Sequence, residues 1–309
     1  MVLYDSNPIK GIPLTETEKI LNALDLNWTI LSRPATYTDP FGQTVVTDKQ
    51  FLLKVERDSY TELGVFGKDL RPAQPKQLLS AIQAISKKIN LKLVAGGHTR
   101  EGKHIYFICK VLDEHHTNIS LSRFLICHTS NDANGKTKIQ PVYICEQTKT
   151  QLGLIDNEIS SSRIFELSHH FNFDDIEALI KVSRRLGDYW DLAEEQVCQL
   201  LNTPVDRTAV EKFHEALYPR FSIGNEKTKR GFDLVQSELY SNHMRFLHNR
   251  ELPPSYFSLF SAFCYYLDHI KRRNGDPSGA IHSLNFGHDG KSKRVAFEIA
   301  SKQALGIFS

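Results

Sequence analysis

The chain has 309 residues, of which 40% are hydrophobic and 24% charged, and its formal net charge is +2. That is the composition of an ordinary soluble globular protein and not of a dedicated DNA-coating protein, so a nucleic-acid site would need local clusters of cations. No window holds about 18 uninterrupted apolar residues, and the N-terminus lacks a signal-peptide pattern, so we expect a cytoplasmic protein without a membrane span.

The first half of the chain is predicted to be rich in β-strands. Apolar residues there come in short runs separated by turn formers, which is typical of strands and hairpins. The spacing of the apolar residues changes in residues 72–89. There Leu78, Leu79, Ile82 and Ile85 recur at helical spacing after two prolines. The predicted strands are 28–37, 44–55, 60–66, 91–95, 105–112, 121–128 and 138–146.

The second half of the chain is predicted to be helical. Residues 173–201 have a long amphipathic pattern with acidic residues near its start, where the helix dipole favours them. Further helices are predicted at 207–217, 229–246, 255–273 and 290–305. The expected fold class is therefore α+β: a β-rich N-terminal domain (1–155) with one packed helix, β-β-β-α-β-β-like, followed by a helical domain (156–309).

Three cysteines, Cys109, Cys127 and Cys145, each follow an isoleucine near the end of a predicted strand. Their equal spacing suggests a meander that places them at similar heights. A zinc site with His104 or His128, a redox pair and buried apolar thiols are all conceivable. The pattern favours buried thiols, because zinc needs four ligands, usually closely paired in sequence. Five cysteines without Cys-x-x-Cys favour a reduced compartment, and no metal or cofactor is expected.

Several stretches, in order along most of the chain, resemble one family. They are WTILSRP from residue 28, ELGVFGKDLRPAQPKQLL from 62, the Cys145, Gln147 and Thr148 ending, YLDH from 266 and FGHDGKSKRVAFEIA from 286. Together they resemble the phage/plasmid-like proteins of domain of unknown function 932. The chain departs from that pattern at His288-Asp289 and in the position of Arg294. The resemblance implies a role in mobile elements, in DNA metabolism, and no catalytic residues.

Clusters of cations are the features that point most directly to a ligand. GHDGKSKR sets glycines and cations just before a predicted helix, a place that suits phosphate, but its spacing is not that of a Walker A motif. Turn formers precede the lysines near residue 137, where a solvated hairpin loop is the plain alternative. The candidate nucleic-acid-binding residues are Lys68, Arg71, Arg100, Lys103, Lys136, Lys138, Lys291, Lys293 and Arg294.

Three strands followed by a helix are reminiscent of the core of single-strand annealing proteins of the Rad fifty-two type, which is an analogy of fold only. On that analogy we expect a non-catalytic, homo-oligomeric protein that binds single-stranded DNA and promotes annealing. Its groove would lie between sheet and helix, lined by Lys68, Arg71, Arg100 and Lys103. Phosphate neutralisation and base stacking would hold the strand.

Two other functions stay open. The low net charge fits a protein-interaction factor, such as an oligomeric scaffold or an antagonist of host defence. A metal-dependent nuclease would need clustered carboxylates with a lysine, and Lys54, Glu56 and Glu62 are candidates. Asp268-His269 invites a general-base interpretation, but adjacent side chains seldom bond usefully, so the YLDH stretch is expected to be structural.

Overall fold

The elements of the chain follow the predicted order of strands first and helices second. The structure, a computed structural model, describes residues 9–112, 120–131, 137–152, 165–167, 175–218, 226–271 and 287–307. A β-rich part with two sheets is followed by a helical part, so the α+β prediction is confirmed. Among the described helices, none is long and apolar enough to cross a membrane.

The first sheet is a three-stranded antiparallel meander preceded by a short helix, α1 (Thr17–Ala23). Its strands are β1 (Thr29–Thr38), β2 (Thr44–Glu56) and β3 (Ser59–Gly67). Ile30, Leu52 and Leu63 are buried on the inner face of this sheet. Its outer face carries exposed apolar side chains, so only one face of the sheet is covered within the chain.

Helix α2 (Pro75–Ser86) begins at the second proline of the predicted helix start. Leu78, Leu79, Ile82 and Ile85 are all buried, which confirms the helical spacing seen in the sequence. Proline is tolerated at the first helical position because its missing N–H would have no partner there in any case. The helix packs against α3, defined below, and against the second sheet.

The second sheet contains six strands in the order β4-β5-β6-β7-β8, with β9 also paired to β7. All of its neighbouring strands are antiparallel, so successive connections alternate between the two ends of the sheet. The strands are β4 (Leu91–Thr99), β5 (His104–Val111), β6 (Leu121–Ser130), β7 (Thr137–Cys145), β8 (Thr150–Leu152) and β9 (Phe165–Leu167).

This alternation corrects the expectation that the three cysteines lie at similar heights. Cys109 faces Leu125 and Cys127 faces Phe107, so these two are near neighbours across β5 and β6. Cys145 instead faces Leu121, at the far end of β6. Strand β7, which ends at Cys145, runs antiparallel to β6, which contains Cys127.

All three thiols are buried and free, as the apolar interpretation predicted. Burial raises the pKa of Cys127 to about 12 and raises the pKa of Cys109 and Cys145 as well. Each thiol therefore stays neutral at pH 7 and packs as a small apolar side chain.

The helical part packs onto one face of the second sheet. Asp175 and Asp206 cap the first two of its helices by accepting hydrogen bonds from Ala178 N and Ala209 N. The helices are α3 (Ile176–Asn202), α4 (Arg207–Leu217), α5 (Glu226–His248), α6 (Tyr256–Tyr265), which continues as a π-helical turn (Tyr266–Ile270), and α7 (His288–Ala304).

The two parts of the chain share one hydrophobic core. A single cluster of buried side chains extends from Ile9 to Ala300 and includes residues of both sheets and of the helices. Arg123 of β6 is ion-paired with Glu194 of α3, and Tyr143 of β7 donates a hydrogen bond to the same carboxylate over 3.1 Å. The predicted domain boundary at residue 155 lies outside the described residues.

Candidate functional site

The first candidate surface lies where the three-stranded sheet meets the turn between β4 and β5. We call it the junction surface and define it by Lys68, Arg71, Arg100 and Lys103. Three of these cations are exposed and Lys103 is half-buried. Asn131 joins its two sides: its N–H donates to the Lys103 carbonyl over 2.6 Å, and its Oδ1 accepts from Ala73 N over 3.0 Å.

Side-chain amides hold the loop that presents Lys68 and Arg71. Gln50 donates to the carbonyls of Gly67 and Leu70 over 3.1 and 2.6 Å. Gln74 accepts from Ile30 N and donates to Ile30 O, each over 2.8 Å, as a neighbouring strand would. Residues 68–74 therefore keep a fixed path without belonging to a strand or a helix.

The backbone of the turn that presents Arg100 is in a conformation that is unfavourable for non-glycine residues. Arg100 and Glu101 have φ values of +50° and +60°, and Gly102 follows at +103°. Non-glycine residues in this left-handed region cost on the order of 1 kcal/mol each. A Cβ on Gly102 would lie 3.2 Å from the Trp28 ring and from Lys54, so close packing against the first sheet also requires the glycine.

Of the predicted hairpin cations, Lys138 lies at the same end of the second sheet as the turn between β4 and β5. Lys138 is half-buried on β7, opposite His128 of β6, and Lys136 lies outside the described residues. The β4–β5 and β6–β7 connections share this end of the sheet, since His104 faces Ser130 and Thr129 faces Thr137. Lys138 thus borders the junction surface.

His104 and His128, the histidines considered for zinc, stack at this same end of the sheet. Their ring centroids are 5.4 Å apart, and His104 Nδ1 lies 3.3 Å from His128 Nε2. In the described part of the chain, no group of three or more His, Cys, Asp or Glu side chains is placed to hold a metal ion.

The predicted basic turn near residue 290 is the start of a helix, and this changes the roles of its cations. Helix α7 begins at His288, so Lys291, Lys293 and Arg294 point in different directions around it. Lys293 is fully buried; its ammonium contacts Asp268 over 2.5 Å and the Gln151 carbonyl over 2.7 Å. This corrects the assignment of Lys293 to a phosphate-binding surface, because both contacts lie in the core.

Arg294 is also turned away from water. It is half-buried, and burial lowers the pKa of its guanidinium, while its charge interacts with Tyr189 of α3. Asp268 accepts a further hydrogen bond from Gln151 N over 2.9 Å, and His269 contacts the Lys149 carbonyl over 3.0 Å. The YLDH stretch therefore fastens the helices to β8, which agrees with its expected structural role.

Lys291 lines a cleft that we call the α6–α7 cleft, with a volume of about 380 Å³. Lys271 also lines it and is ion-paired over 2.6 Å with the buried Asp289. The remaining lining residues are aromatic, aliphatic or hydroxyl-bearing: Leu217, Tyr218, Phe263, Tyr266, Leu267, His288, Ser292 and Val295.

The two tyrosines of the α6–α7 cleft keep their protons at physiological pH. Burial raises the pKa of Tyr218 to about 12 and raises the pKa of Tyr266, and the nearby Asp289 charge adds to both shifts. Sequence reasoning missed Tyr218 and Phe263, because aromatic residues at helical spacing more often belong to a core. Tyr266 was noticed only as part of the YLDH stretch, for which a structural role was predicted.

The two surfaces lie at opposite ends of the second sheet. The junction surface borders the end of the sheet that contains Lys138. Asp268 and Lys293 belong to the helical elements that form the α6–α7 cleft, and both are hydrogen-bonded to Gln151. Gln151 pairs with Ile144, near the other end of β7. Lys138 and Ile144 are six residues apart on β7, or about 20 Å at the rise of a strand.

The three residues considered for a nuclease, Lys54, Glu56 and Glu62, do not form one cluster. Lys54 contacts Glu56 over 3.4 Å, but Glu62 faces Leu53 while Lys54 faces Thr61. Adjacent residues of a strand point to opposite faces, so Glu62 lies on the outer face, away from Lys54. The carboxylate cluster that this alternative needs is therefore not formed by these three residues.

These features define an α+β protein with two separate basic surfaces, one at a sheet junction and one in an aromatic cleft. A family profile described as a domain of unknown function (DUF932) matches residues 62–292, about three quarters of the chain. The chain belongs to this family, as the motif resemblance indicated. The match spans the loop of the junction surface and most of the α6–α7 cleft. No curated protein and no solved structure matches the chain significantly.

Proposed function

We propose that the protein binds single-stranded DNA without cleaving it and promotes annealing of the strands in a mobile-element setting. The observation that carries the proposal is the α6–α7 cleft. There Lys291 and Lys271 lie beside the rings of Tyr218, Phe263 and Tyr266. Aromatic rings with nearby cations are the combination that holds a nucleic-acid strand without reading its sequence.

The size of the cleft favours a single strand over a duplex. Its volume of about 380 Å³ lies at the small end of the range for ligand pockets, and suits one nucleotide unit. The bases of a duplex are already stacked on one another, so they are not available to tyrosine rings. In this proposal a base enters between the rings and Lys291 contacts a phosphate.

The junction surface would supply the second contact with the same strand. Three of its four cations are exposed, and their loop and turn are held in place, so little flexibility would be lost on binding. The two ends of the second sheet are about 20 Å apart along β7, a span that a single strand of several nucleotides covers. Lys138, at the border, would lie near the start of this path.

The outer face of the three-stranded sheet supports the homo-oligomer in the proposal. Paired positions on β1, β2 and β3 give this face an apolar stripe that includes Leu31, Val65 and Tyr60, exposed by 44%, 46% and 72%. Arg33 and Glu62 are exposed on the same face. A second copy would present the same stripe and the same two charges, so each charge could meet its opposite.

Self-association is tested by light scattering coupled to gel filtration over a concentration series. We expect an oligomer for the native chain and a shift towards monomer for Tyr60→Glu, which places a carboxylate in the stripe. Phe41→Glu is the matched control, because Phe41 is 87% exposed and lies in the β1–β2 connection beyond the stripe. An oligomer that survives Tyr60→Glu unchanged contradicts the assignment of this face.

Strand binding is tested with labelled single-stranded and duplex oligonucleotides over a salt series, with and without magnesium. We expect binding that prefers single strands and weakens steeply with salt, and faster annealing of complementary strands. Lys291→Glu and the pair Lys68→Glu and Arg71→Glu should each weaken binding. Lys19→Glu is the matched control, because Lys19 is an exposed lysine of α1 that belongs to neither surface.

The competing function is protein interaction without nucleic acid, which the exposed apolar stripe favours. Absence of oligonucleotide binding at low salt would overturn the DNA proposal and leave this second function. Magnesium-dependent cleavage would instead support the nuclease alternative.

A further inference from the structure

A second cleft, separate from both basic surfaces, lies between α4 and α5. We call it the α4–α5 cleft, and its volume is about 400 Å³. It shares no residue with the junction surface or the α6–α7 cleft. Its lining residues are Val205, Asp206, Arg207, Val210, Glu211, His214, Tyr240, His243, Met244, Leu247 and Pro254.

His243 lines this cleft and carries a buried hydrogen-bond acceptor. Its Nε2 lies 2.9 Å from the Ser258 hydroxyl, which donates its only proton to the Ser255 carbonyl over 2.6 Å. The imidazole must therefore donate from Nε2, and its Nδ1 carries a lone pair. The His243 side chain is 97% buried, since its exposure is 3%, and Nδ1 has no hydrogen-bond partner among the described residues.

Both histidines of the cleft are uncharged at neutral pH. Burial lowers the pKa of His243 to about 4, and the nearby His214 lowers it further in the same direction. Burial also lowers the pKa of His214, whose exposure is 7%. The cleft is thus lined by two neutral imidazoles, and one of them, His243, has a buried acceptor that is costly to leave unpaired.

The charged residues of the lining give the cleft a negative bias. Asp206 and Glu211 contribute two carboxylates, and Arg207 contributes one guanidinium that is paired with Glu211 over 3.0 Å. Around them lie apolar and aromatic groups, including Val210, Met244 and an exposed Tyr240 ring. The lining is therefore complementary to a ligand with an apolar ring and a positive charge.

We propose that the α4–α5 cleft is a binding site for a small aromatic cation that donates N–H groups, such as an aryl amidine or an arylalkyl amine. The ring packs against Val210, Met244 and Tyr240, and the cationic N–H groups donate to Glu211 at the mouth of the cleft. A phosphate-bearing ligand is disfavoured by the carboxylates, so this site goes beyond the proposed strand binding.

The test is a titration of the full chain with benzamidine, followed through the ring resonances of labelled histidines. We expect saturable shifts of His214 and His243 with benzamidine and none with benzoate, which has the same ring and the opposite charge. Glu211→Gln should raise the dissociation constant about threefold, and Tyr240→Ala about fivefold. Both residues are exposed, so neither change is expected to disturb folding.

Glu251→Gln is the matched control, because Glu251 carries the same charge and does not line the cleft. Thermal unfolding of each variant confirms that the fold is retained. The proposal is overturned if benzoate binds as tightly as benzamidine, if the two histidine resonances do not move, or if Glu211→Gln and Tyr240→Ala bind like the native chain.

Discussion

Charged side chains at the edge of the N-terminal sheet are exposed, whereas several in the helical part are buried. Lys68, Arg71 and Arg100 reach solvent from loops and turns at the edge of the sheet. In the helical part, Lys293 and Asp289 are enclosed in the core, as are two histidines. The difference follows from local geometry, because a turn projects its side chains outward, whereas a helix directs them around its axis by about 100° per residue.

This contrast distinguishes charges that are displayed to solvent from charges that stabilise the fold. A charge on the junction surface can be changed at little cost to the fold, since surface substitutions usually alter stability by less than about 0.5 kcal/mol. A charge within the helical part supports packing, so removing it should damage the fold before it affects any ligand. The following variants test this division, beginning with the largest expected effect.

The largest effect should come from Lys293→Met. The change leaves the Asp268 carboxylate buried without its ammonium partner, so we expect a loss of about 3–5 kcal/mol in the free energy of unfolding, measured by urea denaturation. Combining it with Asp268→Asn, which keeps an acceptor for Gln151 N, should recover most of the loss. A single variant as stable as Lys291→Met would contradict the structural role of Lys293.

The next-largest effect is a loss of folding stability at acidic pH, which arises in the helical part. His243 has a pKa of about 4 in the folded chain against 6.5 ordinarily, so the unfolded chain binds the additional proton between these values. Stability is therefore lost as pH falls from 6.5 towards 4, by at most about 3 kcal/mol from this residue. His214 acts in the same direction.

The corresponding experiment is urea denaturation of the native chain and of His243→Gln over this pH range. The glutamine amide can still donate to Ser258 but does not titrate, so the pH dependence should become shallower. An unchanged slope would show that other groups cause the acid sensitivity.

A smaller effect, of opposite sign, is expected at the junction surface. Glu101→Gly relieves a left-handed φ of +60°, so we expect a gain of about 1 kcal/mol in the free energy of unfolding and unchanged strand binding. Arg100→Gly should stabilise the chain similarly but weaken strand binding. Equal binding by the two variants would argue against a role for the Arg100 guanidinium.

The smallest effect is a change in salt dependence. If Arg71 contacts one phosphate, Arg71→Ala should reduce the slope of log affinity against log salt by about 0.7 for a single strand. Lys19→Ala should leave the slope unchanged. The measurement is a fluorescence-anisotropy titration at four or more salt concentrations, and identical slopes for the two variants would remove Arg71 from the strand path.

The sequence predicted the elements well because their signals are local. The spacing of Leu78, Leu79, Ile82 and Ile85 determines which face of α2 is buried, and the structure buries all four. The strands of the first half were predicted by the same kind of reasoning, and the order of the motifs was sufficient to indicate the family.

The candidate site was less predictable because it depends on packing between distant segments. Lys291 and Lys293 look equivalent in the sequence, but one lines a cleft and the other is fixed by Gln151, 142 residues away along the chain. The α6–α7 cleft joins Tyr218 to Lys291, and no periodicity relates the two. Cys145 was misplaced because its height depends on strand direction.

The amide contacts of Gln50, Gln74 and Asn131 have an evolutionary consequence. Gln50 and Asn131 bind main-chain groups of Gly67, Leu70 and Ala73, and the Gln74 side chain binds the main chain of Ile30, so none of these contacts involves the Lys68 or Arg71 side chain. Natural variation at Lys68 and Arg71 therefore leaves the anchorage intact. Relatives can exchange the charge, size or polarity that this loop displays while inheriting the same scaffold, so ligand preference can diverge faster than the fold.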